Sequence, residues 1–325
     1  MASRYGLGSF ALAALVATSA TVGGNLPAAS ADSRENGPIV ISANVGSGWQ
    51  LYRIDPDGHN LKQITNMPST TFDAWFPLVA RDGKRIAFTY GPQIYGATDV
   101  YVINMDGTGL RRLTHDGVSF EPAWSPDGRR LVFATFSLRT GRRAFLVSVP
   151  VDDPDKRTPL TDDLLNNYYG VYTPDGKHIV YNTEDGGVLS ATWIMRVDGS
   201  DKRGLTQAPP AFCPGTVSND SRRVLLQSHC NAIAPVRRSI WVMTLDDGDL
   251  RQLTKPPPGL MYDLTPAYSP DGTKIAFGSN RLNHSGIDLF TMNADGTGIK
   301  RIATGLTVGG CPDGNCVTPS WAVSQ

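Results

Sequence analysis

The chain has 325 residues, of which 18% are charged and 40% hydrophobic, with 30 basic and 30 acidic side chains. So balanced a surface argues against nucleic acid or an anionic membrane as the main partner, and the length fits either one large β domain or two ordinary domains. Beyond the N-terminus no segment approaches the roughly 20 apolar residues that a membrane span needs.

The first element is removable. Residues 1–31 carry one cation, Arg4, then an apolar stretch from Leu7 to Val16, then small residues ending in Ala29-Ser30-Ala31. A charged start, an apolar centre and an A-x-A site mark a secretory signal peptide. The mature chain is expected to begin near Asp32; it loses one base and no acid, which leaves a formal charge of −1.

From there the chain repeats itself. Turns resembling "SPDG" fall at Asn36-Gly37, Asp82-Gly83, Asp127-Gly128, Asp175-Gly176, Asp220-Ser221 and Asp271-Gly272, in steps of 46, 45, 48, 45 and 51 residues. A second set lies out of phase, at Asp57-Gly58, Asp106-Gly107, the "DDPD" from Asp152, Asp198-Gly199, Asp247-Gly248 and Asp295-Gly296. Each is followed by a short run ending in Ile64-Thr65, Leu113-Thr114, Leu160-Thr161, Leu205-Thr206, Leu253-Thr254 or Ile302-Ala303. Six copies of one unit are present.

Between the turns lie "PIVISA" (38–43), "RIAFTY" (85–90), "LVFATF" (131–136), "HIVYNT" (178–183), "VLLQSH" (224–229) and "KIAFGS" (274–279). A further run, "DVYVIN" (99–104), "WIMRV" (193–197), "SIWVMT" (239–244) or "DLFTMN" (288–293), follows four of them. Short runs rich in β-branched and aromatic residues, bounded by Gly, Pro and Asp, predict strands. No stretch holds a helical period over three turns. Each unit is predicted to be a four-stranded antiparallel meander, with an inner strand before the first turn.

One such sheet cannot bury both faces, whereas six stacked radially cover every face with a neighbour. The fold expected is all-β, a six-bladed β-propeller forming a single domain over residues 32–325. The chain enters at the second strand of its first unit, and the C-terminal "TPSWAVSQ" (318–325) matches "EPAWSPDG" (121–128). That strand is expected to supply the missing inner strand and close the ring.

The phrase at Pro122 to Phe133, its variant "TPAYSPDGTKIAF" (265–277) and the recurrent "D-[IVL]-[YF]-x-x-[ND]-x-D-G…LT" resemble the repeats of TolB-type propellers over residues 36–325. The resemblance implies the fold; similar repeats occur in peptidase-associated propellers and lyases. TolB has an α/β domain ahead of its propeller. Here the signal peptide is read as running straight into the first blade, which argues against TolB's transport role and its lipoprotein partner.

Four cysteines remain in the mature chain. In an exported protein an even count suggests disulfides. A hairpin turning about residues 220–222 sets Cys213 nearly opposite Cys230, and Cys311 and Cys316 bracket a turn-forming "PDGN". A four-Cys metal site would need paired C-x-x-C knuckles, which are missing.

Loop geometry directs the search for a site. The Asp-Gly side is tight and repetitive; the opposite side has long, dissimilar loops of the kind that carry binding residues. Loops leading into the inner strands bring Asp73, Trp75, His115, Glu121, Tyr168, Tyr169, Tyr262 and Asp263 toward the channel mouth, and loops after the second strands add Tyr95, Arg281 and His284. Arg139, Arg142, Arg143, Glu184, Asp185, Arg237 and Arg238 lie on the same side. Aromatic and charged groups around a pocket suit a protein, peptide or saccharide ligand.

No nucleophile elbow, H-E-x-x-H or phosphate-cradling loop is present, and no cofactor is expected. His115 with Asp116 and Glu121 is the one candidate acid/base or metal grouping. The Asp-rich turns hold oxygen ligands but no complete calcium loop; Asp there is explained by its bonds to its own backbone. Asp99 and Asp288, opening equivalent strands, read as structural hydrogen-bonders. The expectation is a secreted, monomeric binding module. The alternative is an extracellular hydrolase or lyase acting on polysaccharide or peptide at the channel mouth.

Overall fold

A computed structural model describes residues 34–44, 48–68, 72–92, 97–137, 143–184, 190–206, 212–229, 237–259, 262–282, 286–302, 307–308 and 319–324. Among them there is no helix, and the strands form six antiparallel sheets. Blade two shows the pattern: an inner strand Asp73–Val79, then Arg85–Gly91, Asp99–Asn104 and a short outer strand Arg111–Arg112. The inner strands of blades three to six are Ser119–Trp124, Asn166–Tyr172, Phe212–Val217 and Asp263–Tyr268. Successive inner strands touch, and the sixth touches the strand that completes the first, so the six blades close a ring.

The core is divided accordingly. Six apolar clusters are present besides a small one at the channel, and each joins two neighbouring blades. One packs Val100 and Val102 of blade two against Trp124, Leu131 and Phe133 of blade three. Both faces of a blade are therefore apolar, which is why Ser119–Trp124 is buried along its whole length instead of alternating. A continuous apolar run bounded by turns is the sequence mark of such a strand.

The repeated polar residues fix the units and their spacing. Asp127 Oδ1 accepts from the Ser125 hydroxyl at 2.6 Å and the Arg129 N–H at 3.0 Å, and Asp175 and Asp271 do the same in their own turns. The Ser125 hydroxyl and the Arg129 N–H hold the Asp127 carboxyl below its ordinary range. These aspartates are occupied by their own turns, as expected. The Thr of each Leu-Thr pair accepts from the backbone of a central strand: Thr114 from Val100 N–H at 3.0 Å, Thr254 from Ile240 N–H at 3.0 Å. The glycine of the second turn meets the preceding blade. Gly107 has φ +90°, and a Cβ there would lie 2.8 Å from the Ile64 carbonyl oxygen. Turn and Leu-Thr pair are thus two halves of one contact between blades.

Blade one is completed from the far end of the chain. Ser320–Val323 pairs with Asn36–Asn44 through Ile39↔Trp321 and Val40↔Ser320. The Trp321 Nε1–H donates to the Gly37 carbonyl at 2.8 Å, and Ser320 Oγ accepts the Val79 N–H of blade two at 2.8 Å. The expected closure is present, with two differences. A second short strand, Thr307–Val308, pairs further along at Ala43 and Asn44, so the inner place is shared. Asn36-Gly37 is no turn but lies within the strand Asn36–Asn44, because the inner strand it would have joined arrives from the other terminus.

Gly37 is where closure is tightest: a Cβ there would lie 2.5 Å from the Val323 carbonyl oxygen. Gly37→Ala is expected to cost about 1–3 kcal/mol, the range of overpacked sites, measured as a lower urea midpoint. An unchanged midpoint would contradict the lock.

Candidate functional site

Each inner strand from blade two to blade six is interrupted by a register shift, between Trp75 and Leu78, Phe120 and Ala123, Tyr168 and Val171, Pro214 and Val217, and Leu264 and Ala267. In four of them the bulged residue is left-handed: Phe76 (φ 48°), Glu121 (φ 56°), Tyr169 (φ 55°) and Thr265 (φ 46°). The fifth blade has Pro214 there, whose ring forbids a positive φ. All five residues stand six places before the Asp of their turn. A bulge bends a strand and re-aims a side chain, and here the repeat does so at one level around the axis.

The next position is proline or glycine in every blade: Pro77, Pro122, Gly170, Gly215, Pro266 and, before the closing strand, Pro319. These two levels, with Leu78, Ala123, Val171 and Thr216 beneath them, wall a cavity of about 740 Å³ counting its open mouth. It opens on the face of the long loops. Among its described lining residues Glu121 is the one acidic residue and none is basic. A second cavity at the Asp-Gly end shares Leu78 and Thr216 and is lined by Arg34 and Arg81.

Glu121 ties three blades together. It is 6% exposed; its N–H donates to Thr89 Oγ1 of blade two at 2.9 Å, and its Oε2 accepts the Tyr169 N–H of blade four at 3.0 Å. The rings on either side, Phe76 of blade two and Tyr169 of blade four, meet edge to face with centroids 6.2 Å apart. Trp75 packs with this pair. Burial, then the charges of Glu184 and Glu121, push the neighbouring Tyr168 phenol well above its ordinary range. Burial also raises the Asp73 carboxyl, which is half-buried at the head of its strand.

Other expected site residues have structural duties. Asp263 is fully buried and accepts from the Arg281 guanidinium at 2.7 and 2.8 Å and from the Ser279 hydroxyl at 2.7 Å. Arg281 also lies 5.5 Å from the Phe277 and Phe290 rings. Asp99 and Asp288 hold Arg112 at 2.6 Å and Arg301 at 2.9 Å, the structural part expected of them. Tyr262 donates its N–H to Asn280 at 2.7 Å and lies 5.4 Å from the Arg238 guanidinium.

His115 is exposed, Asp116 pairs with Arg157 at 2.6 Å and Glu121 faces the channel, so the candidate grouping of the three is not assembled. Among the described residues no three His, Cys, Asp or Glu side chains cluster as a metal site. Tyr95, His284, Cys230, Cys311 and Cys316 lie outside the described residues. Cys213 is buried at the cavity wall, and no described cysteine is free. In the bulged hairpin Gln227 lies opposite Cys213.

The expected Trp75, Glu121 and Tyr169 thus come together at the channel. Phe76, Thr265, Pro214 and Gln227 join them unforeseen. For Phe76, Pro214 and Thr265 the signal is the fixed six-residue offset from the turn Asp, which becomes visible once the copies are aligned on that turn instead of on loop length.

These observations define a six-bladed β-propeller with an open-mouthed cavity at one end of its axis. More particularly, it is similar to the propellers of TolB proteins. The Tol-Pal system protein TolB of Anaeromyxobacter dehalogenans (strain 2CP-C) is 34% identical over 115 residues, 35% of this chain. That of Francisella tularensis subsp. tularensis (strain WY96-3418) is 30% identical over 143 residues, 44% of this chain. The matched stretches span 25% and 32% of those proteins' own lengths. The structure of TolB from Acinetobacter baumannii superposes with a TM-score of 0.69 at 19% identity, over 88% of this chain and 66% of that one. A chain of a nidogen/laminin complex gives a TM-score of 0.64 at 12% identity, over 89% and 99%. No family model matches.

The two kinds of residue separate by mutation. Arg281→Gln leaves the Asp263 charge buried and is expected to cost about 3–5 kcal/mol, while His115→Ala changes stability by less than about 0.5 kcal/mol. Chemical denaturation of both variants measures this, and equal effects would contradict the assignment.

Proposed function

We propose that the chain is an exported protein-interaction module whose channel mouth receives a segment of a partner protein. Residues 1–31 act as the signal peptide and residues 32–325 as one propeller domain. Disulfides join Cys213 to Cys230 and Cys311 to Cys316, which suits an oxidising compartment.

The observation that carries this reading is the level of Phe76, Glu121, Tyr169 and Thr265, four side chains of four blades turned to one apolar cavity by strained backbone. Left-handed conformations at non-glycine residues cost of order 1–3 kcal/mol each and cluster where a ligand is held. Leu164 and Leu282, 66% and 63% exposed, stand in loops of the same face. They offer apolar contacts around the mouth that a protein surface can cover. The relatives' membership of a Tol-Pal system favours a protein partner as well.

The alternative, a hydrolase or lyase, calls for a paired acid and base in the cleft. The described cavity wall offers one carboxylate, flanked by aromatic rings, and this composition favours holding a ligand over cleaving it.

Thermal unfolding of the exported protein against pools of peptides and of oligosaccharides tests the reading. A peptide present at 100 times its dissociation constant is expected to add about 2.7 kcal/mol, and to be recovered intact. Stabilisation by an oligosaccharide that is then consumed would overturn the reading in favour of the enzyme.

A further inference from the structure

The Asp-Gly end of the axis departs from the repeat in blade five. Blades three, four and six write this turn as Ser or Thr, then Pro-Asp-Gly, whereas blade five has Ser218-Asn219-Asp220-Ser221. The turn glycine is left-handed in blades two, three, four and six, with φ between 66° and 73°, and Ser221 takes the same conformation at φ 58°. A serine is strained there where a glycine is not, and such strain persists only where the surroundings hold it. Here Ser221 Oγ accepts the Asp175 N–H of blade four at 2.9 Å.

Asn219, the other departure, is held from the opposite direction. Its Oδ1 accepts from the Arg34 guanidinium at 2.7 Å, and its Nδ2 donates to the Pro270 carbonyl of blade six. Arg34 stands just before the first strand of blade one, Asn36–Asn44, so its bond to blade five passes over the turn of blade six. Asn36 Oδ1 accepts the Asp271 N–H of that intervening blade at 3.2 Å, and the Glu35 carbonyl accepts the Ser324 N–H at 2.9 Å. Residues 34–36 are thus bonded to blade five, the closing strand and blade six. A proline at 219, as in blades three, four and six, has no side-chain acceptor to offer Arg34.

Arg34 and Asn219 both line the second cavity, which measures about 760 Å³ counting its open mouth and has Trp124 and Trp321 on its wall. It meets the loop-face cavity at Leu78 and Thr216. None of Arg34, Glu35 and Asn36 is buried. A segment held by hydrogen bonds with little apolar burial opens locally while the core stays folded, so this one can lift without unpairing a blade. We propose that residues 34–36 form a strap across the Asp-Gly end of the axis and that the Asn219 turn is the keeper that holds it. The strap restricts entry to the second cavity from that end and leaves the loop-face mouth as the way in. It stands apart from what the loop-face mouth binds.

The test labels the six tryptophans with 5-fluorotryptophan and reads the relaxation that a neutral nitroxide in solution adds to each fluorine signal, assigned by single Trp→Phe variants. Asn219→Pro gives blade five the proline of its neighbours and takes the acceptor away from Arg34. It is expected to raise the nitroxide effect on Trp124 and Trp321 at least about two-fold. Trp193 and Trp241, in the third strands of blades four and five, are expected to stay unchanged. Arg34→Ala removes the other partner of the same bond and is expected to act alike, with the double variant adding nothing to either. It also supplies the reading should Asn219→Pro fold poorly. No change at Trp124 and Trp321 in either variant would overturn the strap, and so would an equal rise at all six tryptophans, which marks a general loosening of the ring.

Discussion

Everything in this structure follows from burying sheets that are apolar on both faces. A single four-stranded blade has no way to satisfy that demand, and a row of blades leaves two ends exposed. A closed ring leaves none, so the chain brings Ser320–Val323 back to Asn36–Asn44 and places the Trp321 indole on Gly37. The six apolar clusters lie between blades, not within them. Stability is therefore shared around the circle, and the polar repeats, Asp in the turns and Thr after Leu, hold each blade at the spacing its neighbours require.

Closure also makes the site. Inner strands converge on the axis, where Gly215 comes so near its neighbour that a Cβ would lie 2.3 Å from the Pro266 carbonyl oxygen. Proline and glycine at this level give a narrow, apolar wall with few free N–H groups. One level above, the bulges swing Phe76, Glu121, Tyr169 and Thr265 toward the opening. The repeat is uniform in its backbone device and varied in the side chain it presents. A rigid frame with a variable residue at each station is how one architecture hosts different ligands.

The fold was legible because its determinants are periodic. The turn Asp and Gly, the strands between them and the C-terminal "TPSW" phrase all recur at fixed offsets, and strands such as Asp99–Asn104, Lys274–Ser279 and Asp288–Asn293 fall where the sequence runs place them. The site was legible in part. Glu121 and Tyr169 stood out as polar or aromatic residues next to the inner strands. Asp263 and Arg281 looked alike in sequence, yet they spend their charges on each other beneath two phenylalanine rings. Whether a charged residue faces a partner within the blade or the open axis depends on a register shift of one residue, and that shift has no composition of its own. The same shift moved Gln227 to the place opposite Cys213.

The central claim is that closure of the ring builds a ligand site at the loop-face mouth of the channel, around Glu121. A crystal structure of the protein with a peptide that raises its thermal midpoint tests it most directly. The account expects a peptide side chain inside the mouth, within hydrogen-bonding distance of the Glu121 carboxylate and against Phe76 and Tyr169. A peptide seated on the Asp-Gly face, or on the outer edge of a blade with the channel empty, would contradict it.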